Sequence, residues 1–175
     1  MNKGLKSFLH GLFCSLLLMS CVNDSNKVNL IQAENSITSL GLIKSKIIDN
    51  SKPKVVTYIG SKSSLERLLE QTPVGKIDLI IKQNSKYEFI FYIDRVLIAD
   101  TSDIKTILTK YNCQFSLVLD LKDEYYKFNK NLLNPMGSGR LSLITHICDK
   151  NNNVLDYAAI GSSMSFFDKV FAKYR

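Results

Sequence analysis

The stretch Lys54-Val55-Val56-Thr57-Tyr58-Ile59-Gly60 is the first in this 175-residue chain whose pattern clearly indicates secondary structure. Its β-branched and aromatic residues, closed by a glycine, predict a strand. Directly after it, Ser63 and Glu66 have the spacing of a capping box and open a predicted helix, which Pro73 ends. The folded domain is therefore predicted to begin at Lys54 and to extend over residues 54–175.

Downstream of this strand, short apolar segments follow one another with two different periods. Residues 77–82 and 87–93 alternate between apolar and polar, and they predict the two strands of a hairpin. Further predicted elements are a helix over 104–111, a strand over 115–121, a helix over 124–133, strands over 140–148 and 154–160, and a last helix from Ser163. Hairpins mixed with strand–helix–strand units predict an α+β fold, with one small mixed β-sheet and helices packed mainly on one face.

The first 21 residues predict where the protein is located. Lys3 and Lys6 precede an apolar run over 7–19, which is shorter than the roughly 20 residues needed to cross a bilayer as a helix. A basic start, an apolar run and a small residue at its end are the parts of a cleaved signal peptide. Leu18-Met19-Ser20-Cys21 resembles the lipobox of bacterial lipoproteins, and this resemblance implies cleavage before Cys21 and a lipid on its thiol.

The predicted organisation has three parts: a lipoprotein signal peptide over 1–20, a tether over 21–53 and a single domain over 54–175. The tether begins polar, but its second half is apolar, so a short helix or strand docked on the domain remains open. The lipobox resemblance implies a cell-envelope protein that faces the periplasm. Val22 is not the aspartate that retains lipoproteins at the inner membrane of enteric bacteria, so the resemblance favours the outer membrane.

Charge and composition narrow the choice of partners. Loss of Lys3 and Lys6 with the signal peptide leaves a mature net charge of +5, which suits anionic lipid, wall polymer or lipopolysaccharide. No run of lysine and arginine is dense enough for a nucleic-acid site, so no nucleic acid is expected. The expected contacts are the membrane, through the lipid anchor, and an envelope protein or peptidoglycan.

Residues 76–145 resemble the periplasmic domain of the TolR/ExbD family in the order strand, strand, helix, strand, helix, strand. In that family a strand ends in an aspartate and is followed by a tyrosine, a glycine and a last apolar strand. Asp120, Tyr125, Gly139 and Leu141-Ser142-Leu143-Ile144-Thr145 occupy those places here. The resemblance implies a binding domain, because the transmembrane helix with the proton-responsive acid of that family has no counterpart in this chain.

Histidine chemistry has little support in the sequence. His146 is the one histidine of the mature chain, and its potential triad companions are a serine at Ser138 or Ser142 and a carboxylate at Asp120 or Asp149. Gly137-Ser138-Gly139 precedes a strand, whereas a nucleophile elbow follows one. One histidine and scattered cysteines give no zinc-ligand spacing, so neither a metal nor another cofactor is predicted.

Cys113 and Cys148 are the candidates for a disulfide in an oxidising compartment. The two cysteines come close if their strands are antiparallel neighbours. The register that aligns the apolar faces, however, puts the two sulfurs on opposite sides of the sheet, and a parallel arrangement separates them.

The sequence thus predicts a lipid-anchored envelope protein with a small binding domain and no enzymatic activity, acting as an accessory or assembly factor for an envelope complex or the cell wall. Two alternatives stay open. One is an enzyme acting on an envelope polymer or lipid, and the other is a lipoprotein component of a secretion or conjugation apparatus.

Overall fold

The computed structural model describes residues 26–32, 34–44, 47–71, 76–94, 101–134, 137, 139–158 and 172. These residues form a mixed sheet of seven strands with five helices. The strands are β1 (Asn35–Thr38), β2 (Gly41–Lys44), β3 (Lys54–Ile59), β4 (Glu88–Asp94), β5 (Leu117–Asp120), β6 (Leu143–Cys148) and β7 (Val154–Ala158). The helices are α1 (Lys62–Gln71), α2 (Lys76–Gln83), α3 (Thr101–Lys110), α4 (Glu124–Phe128) and α5 (Lys130–Leu133). The predicted α+β class with one mixed sheet is confirmed.

The strand order in the sheet is β2-β1-β5-β4-β3-β6-β7. The three central strands β3, β4 and β5 are parallel, and every other pairing is antiparallel. Parallel neighbours need a crossover connection, which α1 and α2 supply between β3 and β4, and α3 supplies between β4 and β5. The carboxyl ends of all three central strands therefore lie along one border of the sheet, called here the carboxyl edge. Their amino ends lie along the opposite border, called the amino edge; neither name refers to an outer strand.

Alternating side chains of the central strands pack into two cores, one on each face of the sheet. The first core joins Ile59, Ile93 and Leu117 to apolar residues of α1 and α3. The second core contains Tyr58, Tyr92 and Tyr125 with Val28 and Ile31 of the N-terminal segment. The three longer helices thus cover one face, while the N-terminal segment and the two short helices cover the other.

The predicted hairpin over 77–93 is wrong, because residues Lys76–Gln83 form helix α2 and not a strand. Ile80 is buried and Leu79 is 46% exposed, which is the reverse of what the alternating pattern requires. Ile77 and Ile81 pack against the first core, so the buried residues recur with helical spacing. Strand β4 consequently lies parallel to β3 and not antiparallel to a preceding strand.

The predicted tether over 21–53 is partly built into the domain. Strands β1 and β2 form one side of the sheet, and Ile37 of β1 is 1% exposed in the first core. The backbone N–H and C=O of Ile31 both bond the buried hydroxyl of Tyr92. The strand that the sequence left open in this stretch is therefore present, and the folded unit begins well before Lys54.

Most of the other predicted elements are present. Strand β3, helices α1 and α3 and strands β5, β6 and β7 lie where the patterns put them. The helix predicted over 124–133 is two short helices that meet at Asn129. The signal peptide, Cys21 and the helix predicted from Ser163 lie outside the described residues. Within those residues, no helix has the length and apolar character needed to cross a bilayer.

Candidate functional site

Charged and hydroxyl side chains collect at the carboxyl edge, where the three parallel strands end. Ligand sites of α/β sheets commonly lie at this edge, because the loops that leave the strands meet there. Two groups of residues form the candidate site. The strand-end cluster consists of Tyr58, Asp94, Asp123 and Arg140, and the serine cluster consists of Ser61, Ser63 and Ser64.

The strand-end cluster is a network of charge-assisted hydrogen bonds centred on Asp94, which is 1% exposed. The hydroxyl of Tyr58 and the guanidinium of Arg140 both donate to its Oδ2. A second nitrogen of Arg140 donates to Asp123 Oδ2 at 2.8 Å, and the guanidinium carbon stacks 3.5 Å from the ring centre of Tyr126. Burial, then the hydrogen bond to Asp94, raises the pKa of Tyr58, so this hydroxyl stays protonated.

One charge in the cluster is incompletely satisfied. The Oδ1 atom of Asp123 is buried and has no hydrogen-bond partner within the described part of the chain. Asp123 also has a φ of 58°, which places a non-glycine residue in the left-handed region. Nearby, the carboxylate of Asp120 accepts the amides of Glu124 and Tyr125 and caps α4. Burial nevertheless raises the pKa of Asp120.

The serine cluster lies at the N-terminus of α1. The Ser64 amide donates to Ser61 Oγ at 3.1 Å, so Ser61 caps the helix two residues before the predicted capping serine. The Ser61 hydroxyl lies 2.7 Å from Ser64 Oγ and 3.1 Å from Ser63 Oγ. Ser63 is exposed, Ser61 is partly exposed and Ser64 is buried, so the hydroxyl of Ser63 and part of Ser61 reach solvent at the positive end of a helix dipole.

Gly60 joins the serine cluster to the segment before β6. Its amide donates to Ser142 O at 2.7 Å. A Cβ atom at this position lies only 3.1 Å from Leu141 O and 3.2 Å from Ser142 Cα, so only glycine fits without displacement. The close approach holds the first strand–helix junction against the segment that carries Arg140, and the two clusters thereby form one site.

The structure does not bring Cys113 and Cys148 together. Both thiols are free and buried, Cys113 in the first core and Cys148 in the second. Two strands separate β5 from β6, which puts them about 14 Å apart, whereas a disulfide needs Cα atoms within about 7 Å. Burial raises the pKa of each thiol to about 12. The candidate disulfide is therefore not formed in this structure.

His146 faces the second core and forms no triad. It is 2% exposed, and its Nδ1 has no hydrogen-bond partner among the residues described. Burial lowers its pKa to about 4, so the ring is neutral. Ser142 and Asp120 belong to the carboxyl edge, Asp149 lies beyond the other end of β6, and Ser138 is outside the described residues.

A cavity of about 590 Å³ lies at the other edge, beside the amino-terminal half of β4. Pairing between β4 and β5 begins only at Tyr92 and Val118, and the cavity occupies the space where the two strands diverge. Phe89 and Phe115 contribute to its apolar wall, and Lys52 to its polar lining. Its size is within the range of small-molecule pockets, but it is remote from the candidate site.

Sequence reasoning missed most of this site. The serine cluster has a sequence signal, since the capping-box spacing from Ser63 marks the helix start two residues after the observed cap at Ser61. Asp94 and Asp120 each end an apolar strand, which was the available signal for a cluster at the carboxyl edge. Arg140 carried no signal, because its partners are remote in sequence.

The comparisons with known proteins show a shared fold. No family model and no curated protein matches the sequence. The structure is similar to a secreted Mycobacterium tuberculosis disulfide oxidoreductase homologous to E. coli DsbE, with 12% identity over 79% of this chain and 94% of that chain and a TM-score of 0.52. It is also similar to the mitochondrial 2-Cys peroxiredoxin of Plasmodium falciparum, with 18% identity over 86% of this chain and 92% of that chain and a TM-score of 0.56. A third similar structure is a thioredoxin-like protein in its oxidised form, with 13% identity over 85% of this chain and 93% of that chain and a TM-score of 0.52.

These neighbours bear on three expectations. The TolR/ExbD resemblance is wrong, because the order of elements differs at α2 and the similar structures belong to another fold. The lipoprotein resemblance gains no support from any comparison. The expectation of an accessory or assembly factor without enzymatic activity is wrong as well, because the similar structures are those of a disulfide oxidoreductase and a peroxiredoxin. The chain has a thioredoxin-like fold.

Proposed function

We propose that the protein promotes thiol–disulfide exchange of cysteine-containing polypeptides in the cell envelope, by holding the thiolate of the client at the serine cluster. The observation that carries this proposal is the position of Ser61-Lys62-Ser63-Ser64. Dithiol enzymes of this fold class use two cysteines separated by two residues beside a βαβ unit. Here two serines with that spacing begin the helix after the first parallel strand.

The serine cluster has the properties that stabilise a thiolate. Helix N-termini and nearby cations lower the pKa of a thiol from about 8.5, because they favour the anion. Hydroxyl donors that bond the charged form act in the same direction. Lys62 lies at the same helix start, where its ammonium is paired with Asp103 Oδ2 at 2.7 Å, so the helix N-terminus and the hydroxyls are the main source of this effect.

The thiols of the described residues do not suit exchange by themselves. Cys113 and Cys148 are buried, and burial raises the pKa of both, whereas exchange needs an accessible thiolate. The reacting thiol is therefore assigned to the client. Its thiolate attacks one sulfur of a small disulfide, a mixed disulfide forms, and the other half leaves as a thiol, so the protein itself is neither oxidised nor reduced.

The test is the rate at which a cysteine peptide reacts with oxidised glutathione at pH 7, with and without excess protein. A thiol pKa lowered by one unit gives ten times more thiolate, partly offset by weaker nucleophilicity, so the net acceleration is about threefold. We expect Ser61→Ala/Ser64→Ala to lower the acceleration clearly, because the hydroxyls are lost while the helix N-terminus remains. The matched control is Thr106→Ala/Thr109→Ala, two exposed hydroxyls of α3 with the same spacing. Equal rates with wild type and with the serine variant contradict the proposal.

The location of the protein belongs to the same proposal. The lipobox pattern ending in Cys21 supports a lipid anchor, and one of the similar structures is of a secreted protein. We place the protein in the envelope, anchored through Cys21 and facing the periplasm, at the outer membrane because Val22 follows the cysteine. The expected partner of the site is an exported polypeptide with a free cysteine.

Cys21→Ala is expected to release the protein from the membrane fraction or to leave the precursor unprocessed. Two or three acyl chains hold a protein firmly, at about 0.8 kcal/mol per buried CH₂ group, and no other anchor is predicted. Fractionation of cells in high salt, with mass spectrometry of the N-terminus, makes the measurement. A variant that is cleaved normally and remains membrane-bound contradicts the anchor. Ser20→Ala keeps a small residue before the cysteine and serves as the control.

A further inference from the structure

Lysines are concentrated at the amino edge of the sheet, opposite the candidate site. Lys52 and Lys86 flank the loops that lead into β3 and β4, and the Lys52 ammonium reaches Ser85 O at 3.2 Å. Lys150 lies in the turn between β6 and β7, next to the start of β3, because Lys54 donates to its carbonyl at 3.0 Å. The basic edge is defined here as the six lysines Lys27, Lys52, Lys82, Lys86, Lys110 and Lys150.

The carboxylates at the basic edge are fewer and are held by donors within the protein. Asp49 lies 3.9 Å from Lys52, and Asp149 accepts the amides of Asn151 and Asn153. Asp78 accepts the amide of Gln114, and Glu70 accepts the hydroxyl of Tyr111. Lys27, Lys82, Lys86 and Lys150 are exposed, and the described residues offer none of them a carboxylate within salt-bridge distance.

An exposed leucine protrudes from the same edge. Strand β1 runs antiparallel to β5, so the turn between β1 and β2 lies at the amino edge. Leu40 in this turn is 90% exposed, and the neighbouring Ser39 carbonyl accepts the hydroxyl of Thr109 near the end of α3. Basic residues around an exposed apolar side chain suit the interface of an anionic bilayer.

The chain also enters the domain at this edge. Lys27 forms a bridge with Asn153, and the amide of Val28 donates to Asn152 O at 2.9 Å. Cys21 precedes Lys27 by six residues, which span at most about 22 Å when fully extended. With the lipid anchor of the proposed function, on which this step rests, the basic edge is the part of the domain held nearest to the lipid headgroups.

The opposite edge lacks this excess of positive charge. Among the described residues, carboxylates and cations nearly balance at the carboxyl edge, with Glu34, Asp94, Asp103, Asp120, Asp123 and Glu124 against Lys44, Lys62, Lys122, Lys127 and Arg140. We infer that the basic edge docks on the anionic surface of the membrane that holds the anchor. This orientation turns the serine cluster away from the bilayer, toward clients that approach from the periplasm.

The test uses the lipidated protein in vesicles whose headgroups carry a nitroxide quencher. A fluorophore is attached at Asn151→Cys on the basic edge, or at Leu121→Cys on the carboxyl edge, while the two buried native thiols are protected. In vesicles containing phosphatidylglycerol, we expect quenching at position 151 and little at 121. The difference should disappear in phosphatidylcholine alone and in about 1 M salt, where the Debye length is near 3 Å.

A matched pair of charge variants isolates the basic edge. Each lysine near an anionic surface raises the ratio of docked to undocked protein roughly fivefold. Lys86→Gln/Lys150→Gln should therefore lower this ratio on the order of 25-fold. The control Lys105→Gln/Lys122→Gln has the same charge change elsewhere on the surface and should have no effect. Equal quenching at both label positions, with the protein still bound to vesicles, overturns the inference. Loss of the protein from the vesicles instead overturns the lipid anchor.

Discussion

Replacing Ser61 and Ser64 together with cysteine is expected to create a redox-active disulfide in a protein that has none among its described residues. The two hydroxyl oxygens are 2.7 Å apart, so small adjustments bring two sulfurs to the bonding distance of about 2.05 Å. The N-terminus of α1 should favour the thiolate of the new residue at position 61. The double variant should therefore reduce insulin in the presence of dithiothreitol.

The expected reaction needs only insulin as the oxidant and dithiothreitol as the reductant. The thiolate at position 61 attacks an insulin disulfide and forms a mixed disulfide, which the thiol at position 64 then resolves. Insulin leaves reduced, the new pair is oxidised, and dithiothreitol regenerates it. The control is Thr106→Cys/Thr109→Cys, with the same spacing in the C-terminal half of α3, where no free amides stabilise a thiolate. Equal turnover by the two variants contradicts the assignment of the site.

Thiol counting on the same samples gives a second readout. In folded wild-type mature protein, Cys113 and Cys148 should not react with a thiol reagent, because both are buried and burial raises the pKa of each to about 12. Both should react after unfolding without reductant. A folded, oxidised double variant should remain unreactive, and reduction should expose two thiols.

Arg140→Met is expected to lower the free energy of unfolding by about 3 kcal/mol. Removing one partner of a buried ion pair leaves uncompensated charge, which costs more than the pair itself contributes. Asp94 is 1% exposed and Asp123 already has one oxygen without a partner, so neither carboxylate is easily rehydrated. Denaturant titration monitored by circular dichroism measures the change.

The double variant Asp94→Asn/Arg140→Met is the control for this loss. Arg140→Met leaves the carboxylate of Asp94 without its cation, and Asp94→Asn removes that negative charge. The double variant should therefore recover part of the lost stability, and the non-additivity of the two changes measures the coupling between the two residues. Lys105→Met is the control for loss of a surface cation and should change the free energy by less than about 0.5 kcal/mol. A loss of similar size in both single variants contradicts a structural role for the cluster.

An element of the fold can be predicted from the sequence when its local apolar pattern matches the side that tertiary packing buries. Strand β3 and helix α3 were predicted correctly because their apolar residues face one core, and the period of the sequence reports that directly. Helix α2 was predicted as a strand because Ile77, Leu79 and Ile81 alternate by coincidence. The burial of Ile80, which decides between a helix and a strand, depends on tertiary packing that the local pattern does not report.

The candidate site was less predictable than the fold. Asp94 and Arg140 are far apart in sequence, and the sheet order that joins them depends on the parallel placement of β4 between β3 and β5. The serine cluster resembles any helix cap, and only its position after the first parallel strand gives it further meaning. The opposite placement of Cys113 and Cys148 likewise follows from the sheet order.

For a chain exported as proposed above, the pairing of β1 with β5 sets the order in which the chain can fold. Ile37 leaves the translocation channel early, yet its neighbour Leu117 follows only after three strands and three helices of the described chain have passed. Loop-closure cost delays such non-local pairing. Until β5 emerges, strand β1 of the β1–β2 hairpin has no partner strand on its β5 side. Its unpaired backbone groups and the apolar side chains of the hairpin, such as Leu42 and Ile43, are then exposed, which is a state prone to aggregation. The protein should therefore depend on a holding chaperone while it crosses the envelope, and less so once β5 has emerged.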